Sequence, residues 1–157
     1  MIKPSIVFLI FVSICSPLRL FAQEKPTVEE IYRVFKYYSQ GDAPILTNSK
    51  YCVEIISSGP DKFECNEELT PTTFSFNQRP VYLWMSFLVP TGKEFLINVE
   101  FSNGSTLYET DTTVRNSYRY RVWKFVPTYQ EGTWTVKIRN SDSNEVLETL
   151  SYKVEKN

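Results

Sequence analysis

The side chains best suited to do chemistry in this 157-residue sequence lie in one short run, Tyr118-Arg119-Tyr120-Arg121-Val122-Trp123-Lys124-Phe125. In an extended chain successive side chains point to opposite faces, so Tyr118, Tyr120 and Val122 share one face and Arg119, Arg121 and Trp123 the other. With the tyrosine face buried, two guanidinium groups and an indole stand together outside. These residue types concentrate binding energy at protein interfaces, because each joins a large contact area to directed hydrogen bonds. Arg115 extends the set, and Arg115, Arg119, Arg121 and Trp123 form the candidate interaction patch. The same residues have a plainer use, in which Trp123 belongs to the core and the arginines pair with carboxylates on adjacent strands.

Catalysis is poorly supplied. Histidine is absent, which removes the commonest general base near neutral pH, the commonest transition-metal ligand and the middle member of a Ser-His-Asp triad. No Ser-x-x-Lys occurs to replace it. Glu64, Glu67 and Glu68 are the densest carboxylate group and the nearest approach to a glycosidase pair, but their spacing is explained by an exposed hairpin. Asn140-Ser141-Asp142-Ser143-Asn144-Glu145 alternates oxygen-bearing residues as calcium loops do. It lacks the glycine and the flanking helices of an EF-hand and reads as an Asx-rich turn. The expectation is a protein without catalytic activity, cofactor or metal.

Charge and cysteine usage bound the compartment. Lys3, an apolar run over residues 6–14, Pro17 and the small Ala22 follow the order of a secretory signal, giving a signal peptide over residues 1–22. The run is too short to span a bilayer comfortably, so no transmembrane segment is expected in the mature chain. Val12-Ser13-Ile14-Cys15 resembles a lipobox except for the bulky Ile14, which leaves a lipoprotein anchored at Cys15 as the alternative to a periplasmic or secreted protein. Removing Lys3 and Arg19 from 17 basic residues leaves 15 against 18 acidic ones, a net charge of −3 with the two signs interspersed. Such a surface argues against nucleic acid as a partner. After cleavage two cysteines remain, Cys52 and Cys65, an even number in an oxidising compartment, and a disulfide between them is expected. A zinc site would lack further ligands.

One segment has helical spacing. Thr27 and Glu30 form a capping box, and Ile31, Val34, Phe35 and Tyr38 then fall on one stripe of a helix ending near Gln40-Gly41, expected to dock on the protein's own core. The rest is strand-like. Residues 51–57 and 63–67 flank Ser58-Gly59-Pro60-Asp61, and residues 81–89 form a central strand turned by Pro90-Thr91-Gly92-Lys93. Phe95, Ile97, Val99 and Phe101 alternate up to a hairpin at Asn103-Gly104, and residues 106–110, 118–126, 133–140 and 146–154 follow. This spacing specifies an all-β protein, an antiparallel β-sandwich of seven or eight strands with one short N-terminal helix. A barrel is the other architecture it allows. The domain plan is a signal over 1–22, a helical segment over 23–41 and one β domain over 45–157.

Gly132-Thr133-Trp134-Thr135-Val136-Lys137-Ile138, a polar turn, Val146-Leu147 and Tyr152-Lys153-Val154 resemble the closing hairpin of immunoglobulin-like sandwiches in exported bacterial proteins, where a Gly-x-Trp-x-Val strand pairs with the last strand. The resemblance reaches back to about Phe74 and implies an immunoglobulin-like fold. Cys52 and Cys65 both precede Trp84, unlike the cysteines that flank a core tryptophan in antibody-type domains.

Without the signal, 21 of 24 aromatic residues remain, more than a core of this size needs, so some are expected on the surface. The functional expectation is a non-catalytic exported interaction module with a protein partner in the envelope or periplasm. A flagellar sheath or surface filament would be one instance. The alternative is a carbohydrate-binding, lectin-like sandwich whose partner is a glycan.

Overall fold

The computed structural model describes residues 26–39, 41–78 and 80–156. The signal segment, the Cys15 motif and the cleavage position at Ala22 lie outside the described residues. Helix α1 (Val28–Ser39) precedes six strands, β1 (Ile45–Cys52), β2 (Thr73–Ser75), β3 (Tyr82–Asn103), β4 (Thr106–Phe125), β5 (Gly132–Asn140) and β6 (Glu145–Glu155).

The capping box forms as its spacing predicts. The Glu30 N–H donates to Thr27 Oγ1 at 3.2 Å, and the Thr27 N–H donates to Glu30 Oε2 at 2.7 Å. That backbone bond holds the Glu30 carboxyl below its ordinary range. Docking of the helix is narrower than its stripe. Phe35 is buried and Ile31 half-buried near Leu88, Val89 and Pro90, whereas Val34 and Tyr38 are 54% and 74% exposed. The helix meets the sheet at a corner of β3, which offers apolar surface to about one helical turn and no more.

That corner organises the fold. The expected turn at Pro90-Thr91-Gly92-Lys93 does not reverse the chain, and β3 continues through it. Val89 and Glu94 of β3 stand opposite Ser117 and Arg115 of β4, so β3 carries surplus residues there and bulges, with Gly92 at φ +74°. The β3–β4 hairpin, closed at Asn103-Gly104 as expected, then doubles back on itself. Lys124 Nζ donates to Asp111 O at 2.6 Å although 13 residues separate them, a length that spans about 40 Å when fully extended.

Each long strand therefore has two arms, one in each of two facing layers. The sequence counted these arms as separate strands; the difference between the expected seven or eight strands and the observed six is this continuity, since six strands with two doubled give eight arms. One layer holds β1, the first arm of β3 (82–89) and the second arm of β4 (117–125). The other holds the second arm of β3 (94–103), the first arm of β4 (106–115), β5, β6 and β2. Pairing is antiparallel except between β2 and β6, which are parallel.

The two layers are one continuous sheet in the order β1-β3-β5-β6-β2, with β4 on the far edge of β3. Its ends meet face to face rather than edge to edge. Tyr51 of β1 packs against Phe74 of β2 and Tyr152 of β6, at ring separations of 5.4 and 5.7 Å, and Ser49 Oγ donates to Glu148 Oε2 across the gap. No ladder joins those ends among the described residues, so the sheet is not a closed barrel. Between the layers lie Leu83, Met85, Phe87, Ile97, Val99, Phe101, Trp134, Val136 and Ile138, all fully buried.

The largest departure from the sequence reading lies between β1 and β2. Residues 53–57 and 63–67, expected as strands, form no continuous strand, but they do pair: beside the isolated bridges Cys52↔Glu68 and Ile55↔Cys65, the Val53 N–H donates to Glu67 O, the Asn66 N–H to Glu54 O and the Ile56 N–H to Glu64 O. The Cys52–Cys65 disulfide, with Cα atoms 5.7 Å apart, cinches this stretch into an irregular excursion, and Phe63 adopts φ +72°. A ladder of alternating extended residues cannot continue through such a conformation.

Candidate functional site

Register fixes which way the candidate patch points. Trp123 lies opposite Trp84 and Arg121 opposite Ser86, whereas Met85 and Phe87, on the core side of β3, lie opposite Val122 and Tyr120. Arg119, Arg121 and Trp123 therefore share the outer face of their layer, as period-two geometry predicts. Arg115 does not join them. It sits beyond the corner, where its exposed side chain lies 3.5 Å from Glu94 Oε2.

The excursion over residues 53–67 folds onto that outer face, and the patch is what it lands on. Arg119 Nη2 donates to Glu64 Oε2 at 3.0 Å, and Arg121 Nη1 donates to Lys62 O at 2.7 Å. Arg121 Nε lies 3.0 Å from Glu64 Oε1, an ion pair whose N–H does not align as a hydrogen bond. The Trp84 indole N–H donates to Phe63 O at 2.7 Å, and the Phe63 N–H donates to Ile56 O at 2.7 Å. Phe63, a bulky residue in the left-handed region, is thus held by bonds to both its N–H and its C=O. The arginines pair with a carboxylate, but one from a distant loop rather than an adjacent strand. The acidic group expected to be a plain exposed hairpin is divided in use: Glu64 takes both guanidiniums, and Glu68 pairs with Lys50 at 3.4 Å.

Around this contact the outer face carries more aromatic surface than the sequence patch contained. Phe63 is 40% exposed, with its ring 5.7 Å from that of Trp123. Phe125, two residues after Trp123 and on the same face, is 66% exposed, and its ring lies 4.9 Å from that of its cross-strand partner Tyr82 at a tilt of 37°. These rings border two open cavities. The larger, of about 570 Å³, lies between the excursion and the layer, walled by Phe63, Tyr82, Trp123, Ile55 and Ile56, with Glu54 as its only charged lining residue among the described residues. The smaller, of about 340 Å³, opens where the two arms of β4 face each other, between Tyr108, Phe125 and Tyr129. Pro80 borders both. Phe63, Tyr82, Phe125, Tyr108 and Tyr129 were missed as candidates. The cross-strand pairing of residues 82 and 125 was open to inspection once both strands were placed, but the approach of the excursion and of the two β4 arms carries no local signal.

Three further groups are electrostatically perturbed. Burial pushes the hydroxyls of Tyr51 and Tyr152 far above the ordinary tyrosine range, with Glu148 adding to the shift at Tyr51. Tyr152 OH donates to Pro127 O at 2.7 Å, whereas Tyr51 OH has no hydrogen-bond partner among the described residues. Burial likewise lowers the Lys124 ammonium, against an opposing pull from the Asp111 carboxylate. At the Asn140 turn, the Asp142 N–H donates to Asn140 Oδ1 at 3.1 Å and Asn144 takes φ +59°. That is the geometry of an Asx turn, with the asparagine side chain occupied by backbone.

This architecture defines an all-β protein, one curled sheet folded into two facing layers with a single short helix. No protein-family model matches the sequence, and no curated protein matches it. Among solved structures, the chain is similar to an alkylpurine DNA glycosylase of Pseudomonas fluorescens, bound to DNA containing an abasic site analogue, at 7% identity and a TM-score of 0.44. That match covers 74% of this chain and 31% of the glycosylase, so this chain spans about a third of its length. It is also similar to an immunoglobulin-like protein of Pseudomonas aeruginosa at 8% identity and a TM-score of 0.40, over 72% of this chain and 97% of that one. Likenesses this loose carry nothing about reaction, ligand or partner.

Proposed function

We propose that the chain is an exported, non-catalytic interaction module, an accessory or structural subunit of a periplasmic or envelope assembly, and that it meets a protein partner at the outer face of its β1–β3–β4 layer. A flagellar sheath or surface filament would be one such assembly. The observation that carries this reading is the run of half-exposed rings, Phe63, Trp123, Tyr82 and Phe125, on the outer face of one layer, bordering a cavity under the excursion and a second at the edge between the β4 arms. Clustered exposed aromatics on a rigid sheet are the usual material of an interface centre, and they cost solubility when they have no partner. Export is supported by the N-terminal segment and by the disulfide, a bond that persists in oxidising compartments. The finer kinship, with exported bacterial immunoglobulin-like domains, is supported by Trp134 of the Gly-x-Trp-x-Val strand, which is fully buried and stacked on Tyr152 of the last strand.

A second reading, glycan binding, draws on the smaller cavity, whose three aromatic walls suit stacking against a sugar ring. The two separate in one comparison. Cross-linking in intact cells followed by recovery of the tagged chain should yield a stoichiometric protein partner whose recovery falls with Phe125→Ala. Glycan-array binding competed by free sugar and abolished by Tyr129→Ala, with no protein recovered, would replace the first reading by the second.

A further inference from the structure

We infer that the larger cavity is a receptor for an arginine side chain presented by a basic, extended segment of the partner protein, with the guanidinium stacked on Trp123 and Phe63 and paired to Glu54. This inference rests on the proposed protein-binding role and names the chemistry of the partner.

Three observations converge on a cation. The first is the wall. Phe63, Tyr82 and Trp123 give the cavity three aromatic side chains, and the face of an aromatic ring is negative through its quadrupole, so such walls attract a cation that has been stripped of water. The second is the charge at the rim. Glu54 is the only charged residue lining the cavity among the described residues, and its Oε2 accepts a bond from Asn66 Nδ2 at 2.8 Å. It has no ion-pair partner among the described residues. Glu64 is paired to Arg119 and Arg121 and Glu68 to Lys50, whereas Asp61 and Glu67, which also have no ion pair among the described residues, do not line the cavity. Among the described residues, Arg119 and Arg121 of this face are paired with Glu64 and Lys50 with Glu68, Lys62 Nζ lies over the Phe63 ring at 4.6 Å, and the Glu54 carboxylate is left without an ion pair at the mouth of the cavity, beside the Trp123 ring. An incoming positive group is the complement.

The third observation is how Phe63 is held. Its φ of +72° is unfavourable for a bulky side chain, yet the Trp84 indole, the Ile56 carbonyl and the Arg121 bond to the adjacent carbonyl of Lys62 fix it, with its ring 40% exposed beside Trp123. Three hydrogen bonds thus hold the Phe63 ring at the cavity wall. Arginine fits better than lysine because its planar guanidinium stacks on ring faces and presents parallel N–H groups to a carboxylate, whereas an ammonium is a strongly hydrated point charge.

The test is a two-dimensional NMR titration of the full chain with N-acetyl-tri-arginine amide, using N-acetyl-tri-glutamate amide and chitotriose as comparison probes. The expected result is a saturable shift of the Trp123 indole N–H and of the Ile55 and Ile56 amides with the arginine peptide alone. Glu54→Gln, a conservative change at an exposed position, should weaken that binding at least tenfold. Glu109→Gln, on the other layer, should leave it unchanged. Absence of saturation at these resonances, saturation unaffected by Glu54→Gln, or equal binding of the glutamate peptide or chitotriose would each overturn the inference. A partner recovered equally well by the native chain and by Glu54→Gln would also defeat it, while leaving the protein-binding role intact.

Discussion

Trp134 and Trp123 both sit mid-strand among aromatic and branched neighbours, and the fold uses them in opposite ways. Trp134 is fully buried, donates its indole N–H to Gln130 O at 3.0 Å, and stacks nearly parallel on Tyr152 at 5.8 Å. Its partners come from its own hairpin and the turn before it. Trp123 is half-buried on the outer face of the opposite layer, with a distant loop against one side and an open cavity on the other. One ring belongs to the core that makes the fold; the other is surface that the fold holds in place. An aromatic residue in a strand is thus core or display according to what lies over its face, and that cover is supplied here by a loop about 60 residues away.

The contrast can be broken most forcefully at the two rings themselves. Trp134→Ala removes a fully enclosed indole and should cost about 3–5 kcal/mol, as large core truncations do. Trp123→Ala loses a half-buried one and should cost about 1–2 kcal/mol by the same area argument. Urea unfolding of both variants measures the gap, and equal losses would mean that Trp123 is core after all.

The loop that covers Trp123 is next. The disulfide closes 13 residues of sequence separation, so the Cys52→Ala/Cys65→Ala variant should lose about 3 kcal/mol in the chain-entropy picture. It should also raise acrylamide quenching of tryptophan fluorescence through Trp84 and Trp123 and leave Trp134 protected. An unchanged melting temperature would show that the excursion is held without its covalent tie.

The ion pairs beneath the loop should matter less. Glu64→Gln weakens two partners at once and should cost about 1–2 kcal/mol, the low end for a partly buried pair. Arg121→Ala should cost more than Arg119→Ala, because Arg121 is 25% exposed and Arg119 53%, and solvent screens the latter. Thermal melts of the three variants order the effects. Arg119→Ala as the most damaging would contradict the geometry.

The smallest effect is in the core and has opposite signs at two tyrosines. Tyr51→Phe removes a buried hydroxyl with no hydrogen-bond partner among the described residues and should stabilise by about 1 kcal/mol, whereas Tyr152→Phe leaves Pro127 O unpaired and should destabilise by about 1 kcal/mol. Both hydroxyls are held neutral in the folded chain well above pH 10, while in the unfolded chain they ionise near 10. The folded state therefore binds more protons above that pH, and stability should fall as pH rises through 10. The decline should be shallower in Tyr51→Phe, as denaturation at a series of alkaline pH values would show.

Local chemistry made much of the fold legible. Thr27 and Glu30 announced the helix, Asn103-Gly104 the hairpin, and the alternation around Trp134 the closing strands, because each of these is decided within a few residues. Pro90-Thr91-Gly92-Lys93 misled for the same reason: its residues favour a turn, and only the pairing partners on β4 decide whether the chain reverses or bulges and carries on. Ile45–Cys52 was partly missed because Thr47, Asn48 and Ser49 break the apolar alternation on a strand whose value lies in pairing with β3. At the candidate site, the shared face of Arg119, Arg121 and Trp123 followed from period-two geometry. Glu64 and Phe63 as their partners did not, since the disulfide and the corner of β3 bring those segments together.

The central distinction, a displayed ring against a core ring, is tested most directly by measuring stability and partner affinity together in Trp123→Ala, with the partner recovered from envelope extracts. The melting temperature should fall by only a few degrees while affinity drops more than tenfold. A melting temperature that collapses as far as that of Trp134→Ala, with affinity retained in the fraction that folds, would contradict it.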